Sequence, residues 1–424
     1  MSKPRILITN IASLNTGDAA ILWGMQQMLR ERYGEHCRIT ALDREAEAAQ
    51  RCYPWAEFKP ALFPSLQPGP LGRWLSRMGY RHRYERLRSR LLRLALRLHR
   101  RGLPWLARLL VSREDWDSFN SYAEADLIIS TGGTYLRENY SLASAIHGYE
   151  FALATGRPLV FFTQTLGPFR APRNRQAFGK IFRQARAILV RDEPSRHHIT
   201  ELGVTDQHIH LCRDAAFALP PPEASPAPRA NSPLRIAISV RSMSFFGGED
   251  STLQQRYEAA IAALAEEAVR NHGALVVFLS TCQGIPEYWT DDSRDAGLIV
   301  EQLSEAVRPH VQIDGQFRGP TEIVRAYADF DLVIATRMHA AILSMVAGVP
   351  ILPIAYEFKQ EELFGQLGLA DVLLRVDQLQ TEEAVQLLSN TLARLPSLRQ
   401  RIAQLRPGLA QEARSAVAHL PDLG

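Results

Sequence analysis

Leu332-Val333-Ile334-Ala335-Thr336-Arg337-Met338-His339-Ala340-Ala341-Ile342 is a short apolar, β-branched run that passes through Thr336 and Arg337 into a helical pattern starting near Met338. A strand followed at once by a helix is the repeating unit of parallel α/β architecture. The unit recurs in both directions. Strands are expected near Arg235–Val240, Leu275–Ser280 and Val311–Ile313 before it and near Ile351–Ile354 after it. Farther upstream, Pro220-Pro221-Pro222-Glu223-Ala224-Ser225-Pro226-Ala227-Pro228 breaks every periodicity and reads as a stiff, extended linker. Before that linker the alternation is present again, with strands expected near Arg5–Thr9, Arg38–Leu42, Asp126–Ser130, Leu159–Thr163, Ala187–Val190 and His208–Cys212. The expected organisation is an N-terminal Rossmann-like lobe over 1–219, a linker over 220–233, a C-terminal Rossmann-like lobe over 234–385, and closing helices over 386–424.

The composition suits such a chain. Its 424 residues are 46% hydrophobic and 22% charged, which fits two folded domains of about 150–200 residues each. No apolar run approaches the roughly 18 residues of a membrane span, and Ile6-Leu7-Ile8 is too short for a signal peptide, so a cytoplasmic protein is expected. The four cysteines, Cys37, Cys52, Cys212 and Cys282, are scattered without zinc-ligand spacing and read as reduced thiols. The net charge of +4 is unevenly spread: from Arg73 to Arg108 arginine recurs and Glu85 is the only acid. Within this basic insertion, expected over about 70–113, Leu87, Leu91, Leu94 and Leu98 recur at helical spacing between Arg86, Arg90, Arg93, Arg97 and Arg100. Such a helix either packs its leucines on the N-terminal lobe or lies on an anionic membrane surface.

Ligands of parallel sheets bind outside the carboxyl ends of the strands, so the residues just after each strand carry the functional reading. Asn15, Gly17 and Asp18 follow the first strand; the glycine allows close backbone approach, and Asp18 is either a helix cap or a general acid–base group. Gly132, Gly133 and Thr134 form either a floor of exposed N–H groups or a plain tight turn, and no Gly-x-Gly-x-x-Gly pattern supports a nicotinamide cofactor. Arg191 stands at another strand end, suited to a phosphate or carboxylate clamp or else paired with Asp192 on the surface. Arg337 and His339 flank the start of a helix, where a cation opposes the helix dipole, so an anionic ligand would relieve the conflict. Lys359 is placed to reach the same region from the next loop.

These residues together resemble the polysaccharide pyruvyl transferase family. The resemblance rests on Asn15-x-Gly17-Asp18, Gly132-Gly133, Leu166-Gly167-Pro168-Phe169, Val190-Arg191-Asp192, Arg213-Asp214-Ala215-Ala216-Phe217, Arg337-Met338-His339 and Tyr356-x-x-Lys359. Leu279-Ser280-Thr281-Cys282-Gln283-Gly284-Ile285, with Tyr288 and Asp291-Asp292, is most similar to the branch containing the colanic acid pyruvyl transferase. It implies a GT-B-like α/β fold, two Rossmann-like lobes with parallel sheets facing a central cleft. The implied reaction moves the enolpyruvyl carbons of phosphoenolpyruvate onto two hydroxyls of a sugar or lipid-linked oligosaccharide as a ketal, with no metal, nucleotide or other cofactor and no nucleic acid partner. Arg191, Arg337, Lys359 and Arg241 are then the expected donor-binding cations, with His339 as the acid and Asp18, from the opposite lobe, as the base. Two other readings stay open: a GT-B glycosyltransferase using a nucleotide sugar, and a non-catalytic relative that binds anionic glycans.

Overall fold

Strands Arg5–Ile11 (β1), Arg38–Asp43 (β2), Glu57–Pro60 (β3), Leu127–Ser130 (β4), Gly133–Leu136 (β5), Leu159–Leu166 (β6), Ala187–Val190 (β7) and Ile209–Leu211 (β8) build the first of two sheets in the computed structural model. The structure describes residues 3–63, 81–139, 141–223, 232–243 and 251–423. Residues 224–231 of the expected linker, and residues 64–80, which include the first part of the expected basic insertion, lie outside the described residues. A second sheet contains Arg235–Ser239 (β9), Leu275–Phe278 (β10), Val311–Ile313 (β11), Leu332–Ala335 (β12), Ile351–Ala355 (β13) and Leu374–Arg375 (β14).

The strand orders are β3-β2-β1-β4-β6-β7-β8, with β5 on β6, and β11-β10-β9-β12-β13-β14. Every ladder is parallel. Each order reverses once, between β1 and β4 and between β9 and β12, and those reversals are where doubly wound sheets open a crevice for a ligand. Strands covered on both faces need continuous apolar runs. β6 meets that demand in full, with all eight residues buried, and Phe161 at its centre packs edge-on to Phe182 at 4.9 Å between ring centres.

Contacts divide the chain into one unit of Met1–Ser13, Met25–Asp214 and Arg414–Gly424, and a second of Leu14–Gly24 and Ala215–Ala413. The turn before the first helix, and the first part of that helix (Thr16–Tyr33), thus pack with the second unit although they precede most of the first. Close packing makes this possible. A Cβ built at Gly24 would stand 2.2 Å from the Ala215 carbonyl oxygen.

Strands β3, β5 and β14 are absent from the expected set. β3 carries Glu57, Lys59 and Pro60, β5 opens on glycine, and β14 has only two residues, so none shows a recognisable apolar run. The helix Arg81–Arg100 also differs in detail: it buries Leu92, Ala95 and Leu96 in the first core, while Leu87, Leu91 and Leu94 remain exposed. The closing region forms helices Thr381–Ala393 and Leu395–Ser415, with Leu388 fully buried in the second core.

Replacing Gly24 with alanine is expected to overpack this contact and lower stability by about 1–3 kcal/mol. Denaturant titration of Gly24→Ala against the native chain measures it, and equal midpoints would show that the contact yields without cost.

Candidate active site

At the carboxyl end of β12, Arg337 is the N-cap of the helix Met338–Val346 and makes no side-chain cap bond. Its guanidinium turns to Asp292 instead, donating from Nε to Oδ2 at 2.9 Å and from Nη2 to Oδ1 at 2.5 Å. Asp292 is fully buried and also accepts from Ser280 Oγ at 2.6 Å, and Ser280 Oγ lies 2.8 Å from Ser239 Oγ at the end of β9. Burial opposes the charge on Arg337, but the Asp292 carboxylate beside it holds its pKa well above the usual value. The bidentate pair leaves Nη1 as the nitrogen not committed to Asp292.

Two residues into the same helix, His339 meets the turn that follows β1. Asn15 Oδ1 accepts from Gly17 N at 2.9 Å, Thr16 N donates to Thr281 O at 3.0 Å, and Thr16 Oγ1 donates to Arg318 O at 2.9 Å, so the turn is tied within the second unit. Gly17 is pressed against the histidine. A Cβ there would stand 2.6 Å from His339 Cβ, Cγ and Nδ1, so glycine alone fits without displacing the imidazole. Asp18 follows in the first helical turn, buried at 8% exposure, where the helix dipole favours a carboxylate. The base candidate expected from the opposite lobe therefore stands in the same unit as His339.

Tyr288 and Cys282 complete this region. Burial, with Cys282 and Asp18 acting in the same direction and Arg337 against it, pushes the Tyr288 phenol well above its ordinary pKa. Burial pushes the Cys282 thiol up to about 12, so it stays protonated at neutral pH and is unsuited to nucleophilic attack. Among the described residues, no group of three His, Cys, Asp or Glu side chains is placed to hold a metal ion.

The remaining expected cations are already engaged. Arg241 at the end of β9 lies over the Tyr356 ring, 4.3 Å from its centre. Lys359 is buried at 8% exposure, with Nζ 2.6 Å from Glu357 Oε2. Arg191 belongs to the first unit, where it pairs with Asp214 and donates from Nε to Thr165 Oγ1 at 2.9 Å. Asp192 is not its partner; it caps the helix Glu193–Thr200 by accepting from Ser195 N at 2.8 Å. Gly132 and Gly133 are buried rather than an open floor, and Gly133 and Thr134 belong to β5, where Gly133 has φ +127° and leaves no room for a Cβ beside the Tyr135 ring.

Sequence reasoning missed the role of Asp292. An Asp291-Asp292 pair ahead of a helix reads as a cap, and Asp291 does cap by accepting from Ser293 N; the partnership of Asp292 with Arg337, 45 residues away, leaves no local signal. The first unit also carries a cavity of about 230 Å³ at the carboxyl ends of β1, β2 and β3. Phe63, Tyr122, Tyr135 and Tyr149 line it together with Asn10 and Arg44. Asn10 adopts φ +61°, a left-handed conformation that asparagine tolerates better than most residues.

Two parallel-sheet α/β units define a fold of the GT-B kind. Solved structures agree on the fold: the Anabaena protein HepE in complex with UDP-glucose matches with a TM-score of 0.56 at 13% identity, over 98% of this chain and 96% of that one. A glycosyltransferase from Rickettsia africae matches with a TM-score of 0.58 at 11% identity, over 99% and 96% of the two chains. A UDP-N-acetylglucosamine 2-epimerase does so with a TM-score of 0.58 at 12% identity, over 98% and 95%. The family model "Polysaccharide pyruvyl transferase" matches residues 15–357, and the chain belongs to that family. The amylovoran biosynthesis protein AmsJ of Erwinia amylovora is 27% identical over 328 residues, 75% of this chain and 78% of its own.

Removing the Asp292 carboxylate would leave the Arg337 charge buried without its partner. Asp292→Ala is expected to cost about 3–5 kcal/mol of stability, and Asp292→Glu less, as read by thermal or denaturant unfolding. A loss below about 1 kcal/mol for the alanine variant would contradict the pairing's importance.

Asp295, in the helix beginning at Asp292, is pushed up to about 6 by burial and by Asp292, with Arg337 opposing. Its folded state holds the proton more tightly than the unfolded chain, so stability falls as pH rises from about 4 toward 6 and stays lower above. Asp295→Asn is therefore expected to raise the Tm at pH 7 and leave it nearly unchanged at pH 4. An equal shift at both pH values would remove the electrostatic explanation.

Proposed function

We propose that this protein is a phosphoenolpyruvate-dependent pyruvyl transferase that forms a pyruvate ketal on a sugar of an exopolysaccharide or of its lipid-linked precursor. The observation that carries this reading is the seating of Gly17 against His339, which gathers Asp18, His339 and the Asp292-held Arg337 into one unit of a chain belonging to the pyruvyl transferase family. The relation to an amylovoran biosynthesis protein supports an extracellular polysaccharide as the destination.

The chemistry assigns each residue a task. His339 gives a proton to the methylene carbon of phosphoenolpyruvate, and the adjacent carbon becomes electrophilic. Asp18 takes the proton of the first sugar hydroxyl as its oxygen bonds to that carbon. The second hydroxyl then bonds to the same carbon as the C–O bond to phosphate breaks. Of the two hydroxyl protons, one balances the proton now in the new methyl group and the other leaves with inorganic phosphate. No electrons are exchanged, so the balance closes without an oxidant, reductant or cofactor. Arg337, through the nitrogen not taken by Asp292, and Lys359 and Arg241 are assigned to the donor's anionic groups. An imidazole can both hold and release a proton, which suits it to general acid catalysis.

Phosphate released from phosphoenolpyruvate in the presence of a bacterial polysaccharide repeat unit tests the assignment. Release is expected only with the glycan, and His339→Ala is expected to lower kcat by about 10²–10⁴-fold with little change in the Kd for phosphoenolpyruvate. Arg337→Lys is expected to act mainly on that Kd, because lysine cannot share one face with Asp292 and offer another to the ligand. Near-normal turnover by His339→Ala would remove the histidine from the role of acid.

A further inference from the structure

The outer face of the helix Arg81–Arg100 leaves large apolar side chains in water. Leu87, Leu91 and Leu94 are 55%, 36% and 45% exposed, and on the adjoining helix Pro104–Leu110, Trp105 and Leu109 are 64% and 76% exposed. We propose that this face of the first unit is a docking surface for an anionic lipid bilayer, with the leucines and Trp105 entering the headgroup region and the neighbouring arginines meeting lipid phosphates.

The arrangement follows from helical geometry. Successive residues turn by about 100°, so Leu87, Leu91 and Leu94 fall within about 60° of one another, and Arg86, Arg90 and Arg97 form a second strip of about 40° beside them. Ser89, Leu92, Ala95 and Leu96, the buried residues, take the opposite side. The helix therefore has two apolar stripes: one is spent on the core, and the other is left outside next to cations. Arg88 and Arg93 are occupied, bonded to Asp115 and Glu150. Arg86, Arg90 and Arg97 are exposed and make no ion pair among the described residues. Apolar residues fringed by uncompensated arginines are the composition of a helix that lies in a membrane interface, and an exposed tryptophan on the adjoining helix, Trp105, is a residue type suited to that interface.

Charge decides between occupants. A second copy joined through a two-fold contact would bring two arginine-rich patches together, which like-charge repulsion opposes. An anionic bilayer is attracted to the same charge and receives the leucines at the same time. No helix among the described residues is long and apolar enough to cross a membrane, so the attachment is to its surface. The pocket lies close by: Arg88 donates to the Leu62 carbonyl at 2.8 Å and stands over the Phe63 ring, and both residues line the cavity. The docking proposal does not depend on the reaction and stands or falls separately from it.

Flotation of the full chain with vesicles tests it directly. Binding is expected to vesicles of phosphatidylcholine with added phosphatidylglycerol, to be far weaker with phosphatidylcholine alone, and to fall as salt rises. The triple variant Arg86→Gln, Arg90→Gln, Arg97→Gln is expected to bind anionic vesicles on the order of 100-fold more weakly. Leu87→Ser, Leu91→Ser, Leu94→Ser is expected to lose binding as well, with an unchanged Tm because these side chains are outside the core. Recovery of the native chain in the protein fraction with both vesicle types, or equal binding to both, would overturn the proposal. So would undiminished binding by the leucine variant, or a dimer in solution that the leucine variant breaks.

Discussion

A guanidinium stays buried only where a carboxylate answers it, and in the second unit that carboxylate is Asp292. Its two oxygens take Nε and Nη2 of Arg337, and Ser280 supplies a further hydrogen bond. The pair anchors the N-cap of the helix Met338–Val346, and with it the position of His339 in the first turn. Gly17 is then seated against the imidazole, and Asp18 follows it into a buried helical turn. Each step limits the next: a displaced arginine would free the cap, and a side chain at position 17 would push the histidine away.

Much of this was readable from local sequence. The strands from β9 to β13 and the start of a helix at Met338 were expected from short apolar runs and the change of periodicity after them. Arg337 and His339 stood out because cations at a helix N-terminus work against its dipole. What escaped was carried by packing over long separations. Nothing near Asp292 announces Arg337, nothing near Arg191 announces Asp214, and nothing near Asp18 shows that its turn packs with β10's loop rather than with the strand before it. Gly133 illustrates the reverse case: its motif allowed an open floor of N–H groups or a tight turn, and the structure places it at the start of a short strand beside β6.

The basic helix marks a similar limit. Both leucine stripes have helical period, so periodicity alone cannot say which one faces the core. Packing selects Leu92 and Leu96, aided by the arginines Arg88 and Arg93 that reach acids on neighbouring helices. Of the stripe Leu87, Leu91, Leu94 and Leu98, the first three are exposed and Leu98 packs against the core. Two demands thus share one helix, folding on one side and an outward surface on the other.

The central claim is that the cluster around His339 joins the enol carbon of phosphoenolpyruvate to two sugar oxygens. The most direct measurement follows that carbon: phosphoenolpyruvate labelled with carbon-13 at the enol carbon is incubated with the protein and an oligosaccharide repeat unit, and the product is studied by NMR. Pyruvyl transfer requires the label to appear as a quaternary carbon bonded to two sugar oxygens and a methyl group, with inorganic phosphate released in equal amount. Label left in phosphoenolpyruvate, recovered as free pyruvate, or held as an enol ether with its methylene intact would contradict it.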